Sequence, residues 1–213
     1  MKAVLIYSGG LDSTTLLYEY SRSIALAVSF DYGSKHNARE IACAVEHCKR
    51  LGIKHLVIPL GFIGQYFKSD LLLSGGDIPE GSYADDNMKS TVVPFRNGIM
   101  LAVAAGLAES YGLDAVMLAN HSGDHAIYPD CRPAFIDAFG AAVEAGTYNG
   151  VKLLSPYCHL TKRDIALRGK ELGVDFALTY SCYKGGEKHC GKCGTCVERK
   201  EALKGFDPTE YDI

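Results

Sequence analysis

Ser8-Gly9-Gly10-Leu11-Asp12-Ser13-Thr14 gathers three hydroxyls, a carboxylate and two glycines into one short stretch. Glycine lets a backbone take positive φ and approach a ligand, and hydroxyls beside the free N–H groups of a helix start are anion donors. Between a strand and a helix such a stretch binds phosphate, although a plain strand-to-helix turn also favours Gly and Ser. It has neither the Gly-Lys-Ser/Thr ending of a nucleotide P-loop nor the glycine spacing of a dinucleotide fingerprint. A second group, residues 120–133, crowds Asn120, His121, Asp124, His125, Tyr128, Asp130, Cys131 and Arg132 into one run, which reads as an active-site loop or as a hydrophilic connection. The third group is Cys182, Cys190, Cys193 and Cys196. Four thiols can close a tetrahedron around zinc with no open position, while a redox pair, an iron–sulfur cluster or an accidental cluster are the other uses of such spacing. His189 is a lesser rival ligand.

The elements that must position these groups are legible as apolar runs. Residues 2–7 read as a strand and 11–21 as a helix, with the first group as the turn between them. Residues 24–30 form a second strand, ending in Phe30-Asp31-Tyr32-Gly33-Ser34-Lys35-His36, where the carboxyl end of a parallel strand meets ligands and backbone groups could read adenine. Asn37 suits the cap of a helix to about 51, which Gly52 stops. Strands follow at 54–60, 113–119 and 151–157, the fourth almost wholly apolar and so central. Helices are expected from Arg96 to about 111, from Pro133 to about 145, and from a Thr161 cap with Asp164 reaching back. Residues 74–91 carry no apolar period and form a long loop, either a substrate lid or surface disorder. Arg96 at a helix start opposes the macrodipole, which favours an anion-binding role; Lys162 and Arg163 fit either phosphate or a solvated helix face. The fold class is α/β, with five parallel strands, right-handed crossovers and helices on both faces. Residues 1–175 make the main domain and 176–213 a small cysteine-bearing segment packed on it.

A chain of 213 residues with 47% hydrophobic content buries a core as one ordinary domain. Its net charge of −3 supplies no basic field for direct nucleic-acid binding, so small molecules are the expected partners. No run of eighteen apolar residues occurs, and Met-Lys-Ala-Val opens directly into a strand, so a cytoplasmic protein without a membrane segment is expected. In that compartment the eight cysteines are thiols or metal ligands rather than disulfides. Cys43 and Cys48 fit helix packing.

Ser8-Gly9-Gly10-Leu11-Asp12-Ser13 resembles the SGGxDS pyrophosphate loop of the ATP pyrophosphatases that adenylate their substrates. The remaining motifs narrow the resemblance: Asp31-Tyr32-Gly33, Val93-Pro94-Phe95-Arg96-Asn97, Tyr128-Pro129-Asp130-Cys131-Arg132-Pro133, Ser155-Pro156, Thr161-Lys162 and the four cysteines stand in one order. Over essentially its whole length the chain resembles the 7-cyano-7-deazaguanine synthase family. That resemblance implies a Rossmann-like fold of the adenine nucleotide alpha hydrolase kind with a small zinc-bearing C-terminal part, and a homodimer. It implies conversion of 7-carboxy-7-deazaguanine, ammonia and ATP to the nitrile on the route to queuosine. Carried onto this sequence, Ser8, Gly10, Ser13 and Thr14 cradle the ATP phosphates, and Tyr7, Gly9, Leu11, Asp12, Thr15, Leu16, Leu17, Phe30 and Tyr32 complete the nucleotide site. Asp12 organises Mg2+ or the loop, and Cys182, Cys190, Cys193 and Cys196 hold structural zinc. Arg96, Asn97, Asp124, Tyr128, Asp130 and Arg132 are the expected substrate contacts, with Asp12, Arg96, Asp124, Asp130 and Lys162 as catalytic residues. The chain departs from the commonest family wording at Ser34-Lys35-His36, where Gln-Arg-His is frequent, at Gly194-Thr195, where Asp-Ser is frequent, and at Ala134, where an acid is common.

The implied chemistry suits these side chains. Joining a carboxylate to AMP makes a mixed anhydride that ammonia can attack, and a second activation of the amide allows loss of water. Glycine-loop amides and cations such as Arg96 or Lys162 can stabilise the phosphate charge. A guanine-like edge presents N–H donors, for which Asp130 or Asp124 is a suitable acceptor. Three other readings share parts of the pattern: another pyrophosphate-loop enzyme, such as an amide-forming sister enzyme or a tRNA thiolase; a zinc-ribbon nucleic-acid module; and a catalytically silent nucleotide sensor.

Overall fold

Ala3–Ile6 forms β1, four buried apolar residues at the centre of the sheet. The computed structural model describes residues 1–82 and 86–212. β2 (Ile24–Asp31) and β3 (Lys54–Pro59) lie to one side of β1, and β4 (Ala115–Met117) and β5 (Lys152–Leu154) to the other, in the order β3-β2-β1-β4-β5 with every neighbouring pair parallel. The order reverses between β1 and β4, so their carboxyl ends diverge there and leave a crevice.

Side chains along β1 alternate between two cores. Val4 and Ile6 join Leu26, Val28 and Phe30 against α4 (Arg96–Ser110), while Ala3, Leu5 and Tyr7 face α1 (Leu11–Glu19), α2 (Asn37–Leu51) and α6 (Lys162–Glu171). A short α3 (Gly61–Tyr66) follows β3, and α5 (Pro133–Gly146) begins with Pro133 in its first turn. Thr161 and Asp164 form the reciprocal cap expected at the start of α6. Residues 87–110 are apolar enough over their length to be considered for a membrane span, yet half of the most apolar window is buried in this core.

Several boundaries differ from the apolar runs. β4 and β5 are three residues each, because past Met117 the chain turns to deliver Asn120 and His121 to the crevice. Asn37 does not cap α2; it is the first helical residue, after His36. Its Oδ1 accepts from the N–H groups of Tyr32 and Ser34 and its Nδ2 donates to Phe30 O, so it stitches the loop at the end of β2. Within the 74–91 stretch, Asp86–Thr91 forms a 3-10 helix, and Met88 is buried with Ile127, Tyr128 and Cys131. The same stretch pairs Glu80 with Cys193, and Gly81 N donates to Lys192 O. Residues 83–85 of that loop lie outside the described residues.

The C-terminal segment shares the main core. α7 (Gly194–Ala202) packs on α6, and Ala202 and Leu203 belong to the cluster that includes Leu16 and Ile165. Arg199 is fully buried and donates to Thr209 Oγ1, Thr179 Oγ1, Ser181 Oγ and Phe176 O. Arg163 donates to the carbonyls of Ala202 and Lys204, closing the end of α7.

Gly9 has φ +91°, and a Cβ there would run into the Glu40 carbonyl and stand 2.9 Å from Ala44 N. Gly9→Ala is expected to lose at least ~2 kcal/mol of unfolding free energy in a denaturant melt, because α2 must retreat as well as the backbone strain. Gly52→Ala, at φ +64° with open space around it, should lose only about 1 kcal/mol.

Candidate active site

The crevice between β1 and β4 holds an open cavity of ≈ 200 Å³. Its floor is the turn after β1. Ser8 Oγ accepts from Gly10 N and lies 3.0 Å from Ser13 Oγ, and Tyr7 OH lies 3.2 Å from Thr14 Oγ1. Gly10 caps α1 without a side-chain acceptor, which leaves the first-turn N–H groups to an anion. Tyr7, Ser8, Gly10, Leu11, Asp12, Ser13, Phe30 and Tyr32 line the cavity. Gly9, Thr14, Thr15, Leu16 and Leu17 stand behind it: Thr15 Oγ1 donates back to Leu11 O, and both leucines are core.

A buried charge cluster closes one side. Lys162 Nζ lies 3.0 Å from Asp12 Oδ2 and 3.0 Å from Glu198 Oε2. His121 Nδ1 accepts from Gly123 N, which assigns the ring proton to Nε2 in the neutral tautomer. That Nε2 points among Asp124 Oδ1 at 3.6 Å, Asp12 Oδ2 at 3.9 Å and Glu198 Oε1 at 4.0 Å. Burial alone raises the Asp12 carboxyl pKa, but Lys162 and His121 outweigh it and hold Asp12 below the ordinary carboxylate value. Burial likewise depresses the Lys162 ammonium, and Asp12 and Glu198 more than reverse it, so Lys162 stays charged. Among the described residues, Asp12 Oδ1 is buried without a hydrogen-bond partner. An orphaned carboxylate oxygen beside a phosphate-type loop fits a divalent cation.

Arg96, at the start of α4, forms the opposite wall. Its guanidinium lies 5.7 Å from the Tyr32 ring centre and 5.6 Å from that of Tyr128, and Nη1 donates to Tyr32 OH. Burial works against its charge, and Tyr32, Tyr128 and Tyr183 outweigh burial. Tyr128 OH and Tyr183 OH are 2.9 Å apart, so the C-terminal segment reaches this wall too. Asn97, Asp124 and Tyr128 also line the cavity, whereas Asp130 and Arg132 do not. Asp130 Oδ2 instead accepts from Asn97 N in the first turn of α4, and Arg132 is exposed with Nε donating to His125 O. Cys131, though buried, also lines the cavity, and Asn97 Nδ2 lies 3.0 Å from its sulfur; burial first, then Asp124 and Asp130, push its thiol pKa up.

Of the residues nominated from sequence, Asp12, Arg96, Asn97, Asp124, Tyr128 and Lys162 therefore come together, and Asp130 and Arg132 support the wall from outside. Glu40, Tyr183 and Glu198 were not nominated. Glu40 and Tyr183 line the cavity and Glu198 meets Lys162. An acid two residues beyond the last cysteine was the available signal for Glu198, and nothing distinguished it from a solvated helix acid.

The sulfurs of Cys182, Cys190, Cys193 and Cys196 all lie within 4.8 Å of one another. Metal–sulfur bonds of about 2.3 Å in a tetrahedron separate sulfurs by about 3.8 Å, so one ion fits with small adjustment. Backbone N–H groups already point at the sulfurs: Cys190 N at Cys182 Sγ, and Lys192 N and Cys193 N at Cys190 Sγ. Such donors stabilise thiolates. His189 stands apart from the four, its Nε2 accepting from Ser181 N. Cys193 caps α7 and Cys196 sits on it, so the helix that carries Glu198 also carries the knuckle.

A family model described as "Queuosine biosynthesis protein QueC" matches residues 2–207. The 7-cyano-7-deazaguanine synthase of Porphyromonas gingivalis is 67% identical over 99% of this chain and 97% of that protein. The 7-cyano-7-deazaguanine synthase of Desulfotalea psychrophila is 55% identical over 98% of each. Among solved structures, the U34-tRNA thiolase NcsA from Methanococcus maripaludis, determined with its 4Fe–4S cluster, superposes with a TM-score of 0.55 at 15% identity, covering 98% of this chain and 67% of that one. That likeness shows the shared fold.

Removing one partner of a buried ion pair leaves the other charge uncompensated. Glu198→Ala is expected to lower unfolding free energy by about 3 kcal/mol, with Glu198→Gln losing less because it keeps an acceptor for Lys162. Equal melts for the wild type and both variants would show that Lys162 is solvated.

Proposed function

Because the chain belongs to the QueC family of queuosine biosynthesis, we propose that it converts 7-carboxy-7-deazaguanine and ammonia to 7-cyano-7-deazaguanine, using ATP and releasing AMP and pyrophosphate. The observation that carries this reading is the union, in one cavity, of a glycine–serine turn at a helix start with a paired, charged lysine and an arginine caged by tyrosines. Adenylation requires that assembly: donors for phosphate oxygens, fixed cations for the charge that develops at the α-phosphorus, and a flat recess for two ring systems.

In this reading Ser8, Gly10, Ser13 and the first N–H groups of α1 hold the phosphates, and Phe30 and Tyr32 flank adenine. Lys162 and Arg96 stabilise the transferred charge. Asp12, with its orphaned Oδ1, would hold Mg2+, which would neutralise phosphate oxygens when bound. Asn97, Asp124 and Tyr128 face the deazaguanine, with Asp124 accepting from its N–H edge; Asp130 acts one step back, by fixing the turn that presents Arg96 and Asn97. The acid is adenylated, ammonia displaces AMP to give the amide, and a second adenylation of the amide oxygen prepares the loss that yields the nitrile.

Zinc is the proposed occupant of the knuckle, and it supplies structure there. The 4.8 Å sulfur limit supports a single tetrahedral ion, because a cubane cluster needs its four thiolates further apart. A homodimer is supported by α5, whose Ala134, Ala138, Ala141, Ala142 and Ala145 are exposed and whose Phe135 packs against Phe95, itself 57% exposed. ATP use and reduced thiols suit the cytoplasm.

Mass spectrometry of a reaction of purified protein with Mg-ATP, ammonium and 7-carboxy-7-deazaguanine should show the nitrile together with AMP and pyrophosphate. AMP with a different product would move the substrate to a sister enzyme, and no AMP would leave a nucleotide sensor. Lys162→Met should lower kcat/KM at least 100-fold, about 2.7 kcal/mol, by removing a cation that acts on the transferred phosphate. Cys193→Ser should lose bound zinc and thermal stability together; unchanged melting without metal would contradict a structural ion.

A further inference from the structure

Both chemical steps proposed above end with a proton to remove, and that proton is released inside the crevice. Adenylation of the amide oxygen gives a C=NH2+ imidate that loses its first N–H proton to water. When the neutral imidate collapses, the pair of its remaining N–H bond becomes the third C–N bond, the C–O bond breaks with its own pair leaving on AMP, and this second H+ must be taken up. We propose that Glu40 is the acceptor of that proton, and of the proton lost when ammonia forms the amide. The inference rests on the nitrile-forming reaction of the preceding subsection.

Glu40 stands on the first turn of α2 and lines the same cavity as Asp12, Arg96 and Lys162. Its side chain is 14% exposed, so it is reached from the cavity and shielded from bulk water. Its Oε1 lies 3.6 Å from the point that a Cβ on Gly10 would occupy, which sets the carboxylate against the turn expected to hold ATP. The cationic groups beside it come from two other elements, Arg96 of α4 and Lys162 of α6; the loop after β2 brings Tyr32 and the cap residue His36, whose Nε2 is 3.5 Å from Oε2, and its own helix brings Cys43. Burial pushes the Glu40 carboxyl up, and Arg96 and Lys162 pull it part of the way back, to about 8.

The other carboxylates of the wall are committed, and His36, which also lines the cavity, is too weak a base: burial and then Arg96 push its imidazole down to about 3. Asp12 is ion-paired to Lys162 and held low, which makes it a weak base. Asp124 accepts from His121 N and backs the His121 ring. Tyr32, with its pKa raised by burial, keeps its proton and faces Arg96. Glu40 remains as a carboxyl whose proton affinity matches the working range of a general base, several powers of ten more basic than an ordinary carboxylate. Burial next to, and not within, the Lys162 cluster sets Glu40 apart.

The test separates the acceptor role from adenylation and from the parent reading. Carboxylic-acid-dependent exchange of pyrophosphate into ATP reports adenylation, and the conversion of 7-amido-7-deazaguanine to nitrile, run without ammonia, reports proton removal free of ammonia's own titration. Glu40→Gln, with an unchanged melt, should keep the exchange within about threefold of wild type and lose amide-to-nitrile turnover at least 100-fold. Wild-type kcat on the amide should rise with pH to a plateau above about 8, Glu40→Asp should keep a rising limb at a shifted midpoint, and Glu40→Gln should be flat. The assignment is overturned if Glu40→Gln keeps amide turnover within threefold, or if it loses exchange and turnover in proportion, which would put Glu40 in ATP handling. Absence of exchange in the wild type would instead count against the parent reaction.

Discussion

A lysine ammonium at the bottom of a crevice is unstable unless carboxylates meet it, and the fold brings two to Lys162 from opposite ends of the chain. Asp12 comes from the turn after the first strand and Glu198 from the last helix. Lys162 makes the burial of both carboxylates tolerable, helped at Asp12 by His121, and without them Lys162 would be driven towards neutrality. The rest of the site follows from this pairing. It fixes the start of α1 relative to α6, leaves one oxygen of Asp12 without a hydrogen bond among the described residues, and leaves the opposite wall to Arg96 and its tyrosines.

The cysteine knuckle is thereby part of the site rather than an appendage. The thiol of Cys196 and the carboxylate of Glu198 share α7, and the fully buried Arg199 on that helix ties it to residues 176–181 and to Thr209. Tyr183, next to Cys182, reaches Tyr128 across the cavity, and Glu80 of the long loop pairs with Cys193. A metal gathering the four sulfurs would stiffen two contacts with the crevice and one with the long loop at once. This gives a physical reason for a closed, four-thiol site in a chain whose core is already large enough to fold.

Much of this was legible in the residues, and the failures have common causes. The turn after β1 is spelled out locally, because phosphate-type turns need glycines and hydroxyls in adjacent positions. The cap of α6 is equally local. The central strands announce themselves as apolar runs because both faces are covered. Asp130 and Arg132 misled because a dense polar run must also satisfy its own backbone and its neighbours: Asp130 goes to the start of α4 and Arg132 to a carbonyl of its own loop. Asn37 looked like a cap and instead holds the loop before it. Glu40 and Glu198 were invisible because each lies in a polar helix, where an acid normally faces water. Only the packing of α2 over Gly9 and of α7 on α6 turns them inward.

The central claim is that the knuckle and the phosphate turn form one mechanical unit joined through Glu198, Lys162 and Asp12. Hydrogen–deuterium exchange on the metal-loaded protein, before and after chelation, tests it most directly. The account predicts that amides of residues 8–14 lose protection together with those of α7 when metal is withdrawn, while β2 and β3 keep theirs. Opening of α7 with unchanged protection at residues 8–14 would contradict it.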